Sequence, residues 1–217
     1  MILKFEELDR LFEELDKALT EKVQFYVIGG AVMLYHGLKA GTKDVDIVVD
    51  SPKEFTAVEN ALKNIGFAAK IPTLAYKKFD ISQIFIRKDY RIDLFQKTVC
   101  KGFRLSEKMK ERADKLKQLS NLTVFLCSTT DIFMFKTFTE REGDIEDCMS
   151  LAETDIDWDA MIEEIKEQIK TAGSQIWITY IGERFDILVD RDLTIPIMKE
   201  VDKLRDKFFY ALERKQS

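Results

Sequence analysis

The chain has 217 residues, of which 46% are hydrophobic, so it can bury a substantial core and is not typical of disordered proteins. Its net charge of -5 argues against a surface that attracts nucleic acid everywhere. Three cysteines without a Cys-x-x-Cys pair argue against a disulfide framework or a zinc site. The acidic start is not typical of a signal peptide, and no apolar run reaches the roughly 20 residues of a membrane helix. We therefore expect a cytoplasmic protein without a membrane partner.

Helix and strand signals alternate in the first half of the chain. In chain order they predict a helix over residues 3–19, a strand over Val23–Ile28, a helix over 31–35, a strand over Val45–Val49, a helix from Pro52 to about Asn64, and strands over 74–79, 82–87 and 90–96. Ser51-Pro52-Lys53-Glu54 is a typical helix start, and Lys88-Asp89 suits a tight turn. His36, the only histidine, follows an apolar stretch, so we expect it to pack in the core or along a helix.

A basic helical stretch is predicted next, followed by a strand over 123–127 and then mostly helices. Between Lys101 and Lys117 there are seven basic and three acidic residues, a charge that suits either RNA phosphates or a solvated helix. One later helix should begin at Asp157 and a last one should cover 196–213. The fold class expected is α/β, with a mixed sheet in domain 1–127 and a helical bundle in domain 128–217. The cleft between them is the expected nucleotide site.

The most informative segment joins the first two strands. Gly29 and Gly30 follow a buried strand, and two glycines permit a tight turn whose N–H groups approach an anion closely. Thirteen residues later come Asp44 and Asp46, which should project from one face of the second strand. Neighbouring carboxylates repel each other unless a cation lies between them, and Mg²⁺ prefers such oxygen ligands.

Asp93 is the single acid of a later strand segment that is otherwise largely apolar. If that strand lies beside the second strand, three carboxylates converge and two metal ions can be held. The alternative is that Asp44 ends a loop and that Asp46 and Asp93 are ordinary exposed acids of strands. Asp50 illustrates this alternative, because it directly precedes the Ser51 helix cap and is expected to be structural.

This order of glycines and acids resembles the nucleotidyltransferase superfamily that includes DNA polymerase beta. The resemblance implies that Gly29 and Gly30 open onto the triphosphate of a nucleoside triphosphate. It also implies that Asp44, Asp46 and Asp93 bind Mg²⁺ or Mn²⁺ and assist an attacking hydroxyl.

The wider string from Gly29 to Asp46 looks like the minimal and abortive-infection, toxin-type branch of that superfamily. There, Thr42 and Lys43 flank the acid pair and belong to the nucleotide site. The branch's helical signature matches Lys136 together with Arg141, Asp144 and Asp147. It implies that Lys136 contacts nucleotide phosphates; a solvated lysine at a helix edge is the alternative. The three residues after it could orient Lys136, line the site, or form a salt-bridge ladder.

The prediction is thus an enzyme that transfers a nucleoside monophosphate to a hydroxyl of RNA, a protein or a small molecule. A toxin silenced by an antitoxin-type partner is one form of it. A catalytically silent nucleotide-binding or scaffold protein is the alternative, because Ala40 stands where relatives often carry an arginine, with Lys39 beside it.

Overall fold

The structure is a computed structural model that describes residues 1–72, 80–100, 102–139, 141–172 and 176–216. The chain divides into two compact units, Met1–Ser128 and Thr129–Ser217. Every described strand belongs to the first unit, and the described elements of the second are all helices. The predicted fold class, a mixed α/β sheet protein with C-terminal helices, is confirmed.

The first unit is built from short elements. Its described helices are α1 (Phe5–Ala18), α2 (Gly30–Tyr35), α3 (Pro52–Asn64) and α4 (Glu107–Arg112). Its described strands are β1 (Val23–Ile28), β2 (Val45–Val49), β3 (Ala68–Lys70), β4 (Gln83–Arg87), β5 (Tyr90–Gln96), β6 (Thr98–Val99), β7 (Phe103–Arg104), β8 (Asp114–Gln118) and β9 (Leu122–Leu126). The strand predicted over 74–79 lies outside the described residues.

Seven strands form one mixed sheet in the order β3-β4-β5-β2-β1-β9-β8. The pairs β1–β9 and β2–β5 are parallel, whereas the other neighbours run antiparallel. β2 and β1 therefore lie in the middle, which explains why their sequences are nearly continuous apolar runs. Asp46 of β2 is consequently placed at the centre of the sheet.

One face of this sheet is covered by helices α1 and α3. Apolar residues at helical spacing in α1 are buried, and the ring of Phe12 meets that of Phe25 on β1 edge-on at 5.6 Å between centroids. α3 packs against β1, β2 and β5. Residues alternate along a strand, so the residues of β2 on this covered face, Val45, Ile47 and Val49, are fully buried while Asp46 projects to the other face.

Local signals in the sequence explain the predicted boundaries. The Ser51 hydroxyl accepts a hydrogen bond from the backbone N–H of Glu54, and the Glu54 carboxylate accepts one from the N–H of Ser51. This reciprocal cap, with Pro52 in the first turn, begins α3 as predicted. Lys88, at φ +54°, and Asp89 form the predicted turn between β4 and β5.

The basic stretch 101–117 differs from its predicted helix. Within the described residues 102–117, helix is confined to α4, and β8 follows it as the edge strand paired with β9. β8 exposes the charged side chains of Asp114 and Lys115, and exposed charge protects a sheet edge from pairing with other chains. The prediction of one basic helix was wrong, because charged residues on an edge strand can also match helical spacing.

His36 is exposed, so of the two environments expected for it, packing in the core was wrong. It is the residue that ends α2, where Gly37 continues at φ +70°, and its ring lies 5.1 Å from that of Tyr35. α2 is only six residues long, so its apolar pattern ends before His36.

The second unit contains only helices in its described residues. These are α5 (Thr129–Thr137), α6 (Glu142–Leu151), α7 (Trp158–Ala172), α8 (Trp177–Val189) and α9 (Met198–Gln216). Phe133 of α5 is fully buried and meets the rings of Trp158 and Phe185 at 5.5 and 6.2 Å between centroids. This aromatic cluster ties α5, α7 and α8 together. None of the helices in the described part of the chain is both long and apolar enough to cross a membrane.

Candidate active site

The turn between β1 and α2 is built for two glycines. Gly29 has φ +68° and ψ -143°, a conformation that residues with a Cβ rarely adopt. A Cβ added there would collide with Oδ2 of Asp46. The backbone of the turn therefore lies directly against the carboxylate on β2, as a close backbone approach to a charged site requires.

Thr42 fixes the loop that enters β2. A Cβ at Gly30 would lie 2.7 Å from the Thr42 hydroxyl oxygen, so this second glycine also permits close packing. The Thr42 hydroxyl donates to the carbonyl oxygen of Asp44 at 2.9 Å. The Thr42 backbone exchanges hydrogen bonds with Ile2 at 2.8 and 2.9 Å. Thr42 is buried, whereas Lys43 is exposed and Asp44 is half-buried.

Asp46 and Asp93 are register partners on the adjacent parallel strands β2 and β5. Partner residues of neighbouring strands lie side by side, about 4.8 Å apart across the sheet, and project to the same face. The sequence prediction depended on β5 lying beside β2, and the structure places it there. Asp44 directly precedes β2 and lies two residues before Asp46.

Arg91 binds both carboxylate oxygens of Asp93. Its Nε donates to Oδ1 and its Nη2 to Oδ2, each at 2.7 Å. The side chain of Asp93 is 4% exposed and that of Arg91 23% exposed, so the pair is largely shielded from water. Sequence reasoning missed this pair, although residues two apart on a strand share a face and the spacing of Arg91 and Asp93 indicates it.

The three carboxylates predicted to bind metal are of a suitable chemical type, but they are not all brought into one group. Asp44, Asp46 and Asp93 offer only carboxylate oxygens, and such oxygens suit Mg²⁺ or Mn²⁺. Within the described residues, however, no group of three or more His, Cys, Asp or Glu side chains is arranged to hold a metal ion. The structure thus brings Asp46 and Asp93 together as two candidate ligands, with Asp93 engaged by Arg91.

Lys136 lies in the second unit and is buried, which excludes the alternative of a solvated lysine at a helix edge. Its Nζ is 2.6 Å from Oδ1 of Asp144 and 2.7 Å from Oδ2 of Asp147. Arg141 donates from Nε to Oδ2 of Asp144 at 2.9 Å, and Thr139 also donates to that carboxylate. The acids of the helical signature therefore orient Lys136. Its predicted contact with nucleotide phosphates stays a prediction.

Burial and the neighbouring charges shift the pKa values of Lys136 and Asp144 in opposite directions. Burial alone would lower the pKa of Lys136, but the two carboxylates outweigh it and raise the pKa. Burial would likewise raise the pKa of Asp144, yet Lys136 and the hydrogen bonds lower it. Both groups are held in their charged forms. The adjacent Cys148 is buried, and burial raises the pKa of its thiol to about 12, so it is unsuited to act as a nucleophile.

Part of the basic stretch is paired within the protein. Lys110 of α4 is 2.7 Å from Asp50, which confirms the structural role expected of Asp50. Lys117 of β8 is 3.2 Å from Asp9 and 3.0 Å from Glu13 of α1. These lysines neutralise acids of the fold itself, and this reduces the charge that the stretch could offer to RNA.

The turn after the first strand of this mixed sheet is a diglycine that packs against Asp46 of β2, and the parallel neighbour β5 carries a second acid, Asp93. These are features expected of the nucleotidyltransferase class. The family model described as "Nucleotidyltransferase of unknown function (DUF6036)" matches residues 4–177, and the chain belongs to this family. The prediction of the superfamily is confirmed, whereas the toxin-type branch stays a prediction. No curated protein matches the chain.

Proposed function

We propose that this protein is a metal-dependent nucleotidyltransferase that moves a nucleoside monophosphate from a nucleoside triphosphate to a hydroxyl acceptor. One observation carries the proposal: Asp46 and Asp93 are side by side on β2 and β5, and the Asp46 carboxylate touches the diglycine turn at Gly29. Two acids beside a glycine turn whose backbone N–H groups can approach an anion closely are what binding a metal-bound triphosphate requires. Membership in the family supports the reaction class.

Each residue has a role in this scheme. Gly29 and Gly30 present backbone N–H groups to the triphosphate, while Thr42 holds the loop that carries Lys43 and Asp44. Asp44, Asp46 and Asp93 are the carboxylates that would hold Mg²⁺ or Mn²⁺. A bound divalent cation would neutralise charge on the triphosphate and on the departing pyrophosphate. Lys136 is retained as a candidate phosphate contact.

The bonds exchanged in the reaction follow from the substrates. The acceptor oxygen bonds to the α-phosphorus, and the bond from that phosphorus to the bridging oxygen breaks. Pyrophosphate carries away the bonding electrons, and Asp93 helps to remove the proton of the acceptor. Arg91 donates to both Asp93 oxygens but uses only two of the about four lone-pair positions of that carboxylate, so the remaining positions can still face a cation.

The test supplies α-³²P-labelled ATP, CTP, GTP and UTP in turn, with Mg²⁺ or Mn²⁺ and cell extract, and then identifies the labelled product. Asp46→Asn and Asp93→Asn should each lower labelling on the order of 100-fold or more, because each loses a charged group of the site. Asp89→Asn is the matched control, since Asp89 is an exposed acid in the turn that precedes β5. Full labelling by Asp46→Asn would contradict the proposal.

A catalytically silent nucleotide-binding or scaffold protein is the second candidate. It is favoured by the Arg91–Asp93 pair, which supplies a cation from the protein itself, and by the absence of a three-ligand group among the described residues. Calorimetric titration with nucleoside triphosphates, with and without Mg²⁺, tests the scaffold form of this candidate, because a pure scaffold should show no metal-dependent binding. A silent protein that still binds nucleotide is separated from the enzyme by the labelling test above.

The acceptor and the biological role are further parts of the proposal. RNA, a protein and a small molecule are the acceptor classes, and the labelled product distinguishes them by its sensitivity to ribonuclease or protease. The toxin-type resemblance leads us to expect slower growth when the protein is expressed without an antitoxin-type partner. Asp44→Ala should relieve that effect, and an equal slowing by Asp44→Ala would count against a toxin that acts through this site.

A further inference from the structure

Residues 1–4 lie along the loop 36–44 that leads into β2. Ile2 and Thr42 form an isolated antiparallel bridge, in which the backbone N–H of each donates to the carbonyl oxygen of the other, at 2.8 and 2.9 Å. The side chain of Ile2 is buried, whereas Met1 and Leu3 on either side of it are exposed. This alternation is that of a β-strand, so residues 1–4, here called the strap, lie with one side against the protein.

Gly41 allows the strap to come this close to the loop. A Cβ added at Gly41 would lie 2.9 Å from the carbonyl oxygen of Ile2 and 3.0 Å from Cδ2 of Leu3. The first of these contacts is with backbone, which cannot rotate away as a side chain can. Gly41 does not have the positive φ that strains other residues, so an alanine there would meet the strap but would not strain its own backbone.

The strap is tied to helix α1, which holds the other end of the loop. The Glu7 carboxylate accepts hydrogen bonds from the backbone N–H groups of Leu3 and Lys4, at 3.4 and 3.3 Å. Phe5, the first residue of α1, meets the ring of Tyr35 edge-on at 4.9 Å between centroids. Tyr35 ends α2, and the loop begins directly after it. The strap and the first turn of α1 therefore contact the chain at both ends of the loop.

The loop carries groups that the proposed function uses. The Thr42 hydroxyl donates to the carbonyl oxygen of Asp44 at 2.9 Å, and it would lie 2.7 Å from a Cβ at Gly30. Ile2 thus fixes the backbone of Thr42, and Thr42 in turn holds Asp44 and packs against the diglycine turn. The proposed binding of a nucleoside triphosphate needs both Asp44 and that turn in place.

We propose that Ile2 is a positioning residue that acts through Thr42, and that the strap holds the loop in the conformation that binds a nucleoside triphosphate. The inference rests on the proposed function and adds residues before β1 to the machinery of the same site. When the strap is displaced, nucleotide binds only to the fraction of molecules whose loop returns to the held position. The apparent affinity is then reduced by that fraction.

Gly41→Ala tests this role without removing a side chain of the site, because its methyl group pushes the strap from the loop. Gly143→Ala is the matched control, since a Cβ there has nothing within 4 Å and its φ is not positive either. Calorimetric titration of the full chain with ATP, CTP, GTP and UTP, each with Mg²⁺, measures the affinity. The best-bound nucleotide should bind Gly41→Ala about 10-fold more weakly than wild type, the scale set by losing two backbone hydrogen bonds. Gly143→Ala should match wild type.

A second pair of variants keeps the test valid if Gly41→Ala does not fold. Ile2→Pro cannot donate to the carbonyl oxygen of Thr42, whereas Ile2→Val keeps both backbone hydrogen bonds and most of the buried side chain. Hydrogen–deuterium exchange is the readout that does not depend on activity. Amides of residues 38–44 should exchange faster in Gly41→Ala and Ile2→Pro, while the amides of β1 and β2 keep the protection of wild type.

The dependence of the rate on nucleotide concentration separates positioning from a loss of catalytic groups. Nucleotide binding favours the held loop, so saturating nucleotide should restore the labelling rate of Gly41→Ala to that of wild type. The expected result is a raised KM with an unchanged kcat. Asp46→Asn lacks a group of the site itself, and its labelling should stay low at every nucleotide concentration.

The outcomes separate this inference from the proposed function. Weaker nucleotide binding together with faster exchange of the loop in Gly41→Ala and Ile2→Pro, and neither change in Gly143→Ala and Ile2→Val, supports the role of the strap. Unchanged affinity, unchanged exchange, or a loss that the control variants share overturns that role, and the proposed function then stands if Asp46→Asn still lowers labelling. A wild-type chain that binds none of the four nucleotides and labels no product overturns both.

Discussion

Replacement of Lys136 by Met is expected to destabilise the second unit strongly. Lys136 is 8% exposed, and its ammonium group lies within 2.7 Å of two carboxylates, those of Asp144 and Asp147. Met has a similar length and is apolar, so it preserves much of the packing while removing the charge. The substitution therefore leaves two acids buried side by side without their common cation.

The size of the expected fall in the free energy of unfolding follows from the two carboxylates that stay buried after the substitution. Removal of one partner from a buried ion pair costs about 3–5 kcal/mol, because an uncompensated charge stays buried. Here two carboxylates lose the same partner and also repel each other. Arg141 and Thr139 still bind Asp144 and offset part of the loss. We expect a fall of about 3 kcal/mol or more in the free energy of unfolding.

Urea titration followed by far-ultraviolet circular dichroism measures this change. Lys166→Met is the matched control, since Lys166 is exposed on α7 of the same unit, and it should change the free energy of unfolding by less than about 0.5 kcal/mol. Lys136→Met/Asp144→Asn/Asp147→Asn should recover most of the loss, because neutral groups replace the whole cluster.

The stability that Asp144 and Lys136 contribute changes with pH in a defined direction for each residue. The pKa of Asp144 is lowered from its ordinary 3.8, so its stabilisation is present above pH 3.8 and is lost as the pH falls through the lower, folded pKa. The pKa of Lys136 is raised from 10.5, so its stabilisation is present below pH 10.5 and is lost as the pH rises through the higher, folded value. The difference in the free energy of unfolding between wild type and the triple variant should thus be constant between these limits and should shift in favour of the triple variant beyond both.

A loss below about 1 kcal/mol for Lys136→Met would refute the argument, since that is the scale of an exposed ion pair. Failure of the triple variant to recover stability would show that the cost comes from packing rather than from charge. If the triple variant folds, its affinity for nucleoside triphosphates also tests the predicted phosphate contact of Lys136. Unchanged affinity would leave Lys136 a purely structural role.

Three further predictions concern other parts of the chain. Gly29→Ala should weaken Mn²⁺-dependent nucleotide binding by about 10-fold, because its methyl group meets the Asp46 carboxylate. Gly37→Ala is the control, as it carries the same positive φ with nothing near its Cβ, and an equal loss of binding there would point to backbone strain alone. A colorimetric thiol reagent should find no reactive cysteine in the folded protein and three after denaturation, because all three are buried and the pKa of Cys148 is about 12. Ser51→Ala should lower the free energy of unfolding by about 1 kcal/mol in urea, through loss of the α3 cap, and no change would mean that this cap is not stabilising.

Strong local patterns explain which elements the sequence predicts well. β1 and β2 are apolar runs bounded by glycine or acid, and both have their predicted bounds. The Ser51 cap places the start of α3. At these elements the local secondary-structure preference agrees with the pattern of burial, so the neighbouring residues are enough to predict the element and its bounds.

Elements that depend on distant partners are less predictable. The charged strand β8 is held at the sheet edge by pairing with β9, and its lysines at 115 and 117 suit a helix equally well in sequence. Asp93 was recognised as a candidate ligand, but its local pairing with Arg91 was missed, although the two-residue spacing on β5 indicates it. Lys136 likewise resembles a surface lysine until the fold brings Asp144 and Asp147 to it.

The backbone pairing between Ile2 and Thr42 has a practical consequence for protein production. An affinity tag fused ahead of Met1 would begin one residue from a segment that holds the loop of Asp44, so a bulky or charged tag could shift the acids being tested. Residues 209–214 of α9 are exposed and belong to the other unit, which makes that side of the chain the better place for a tag.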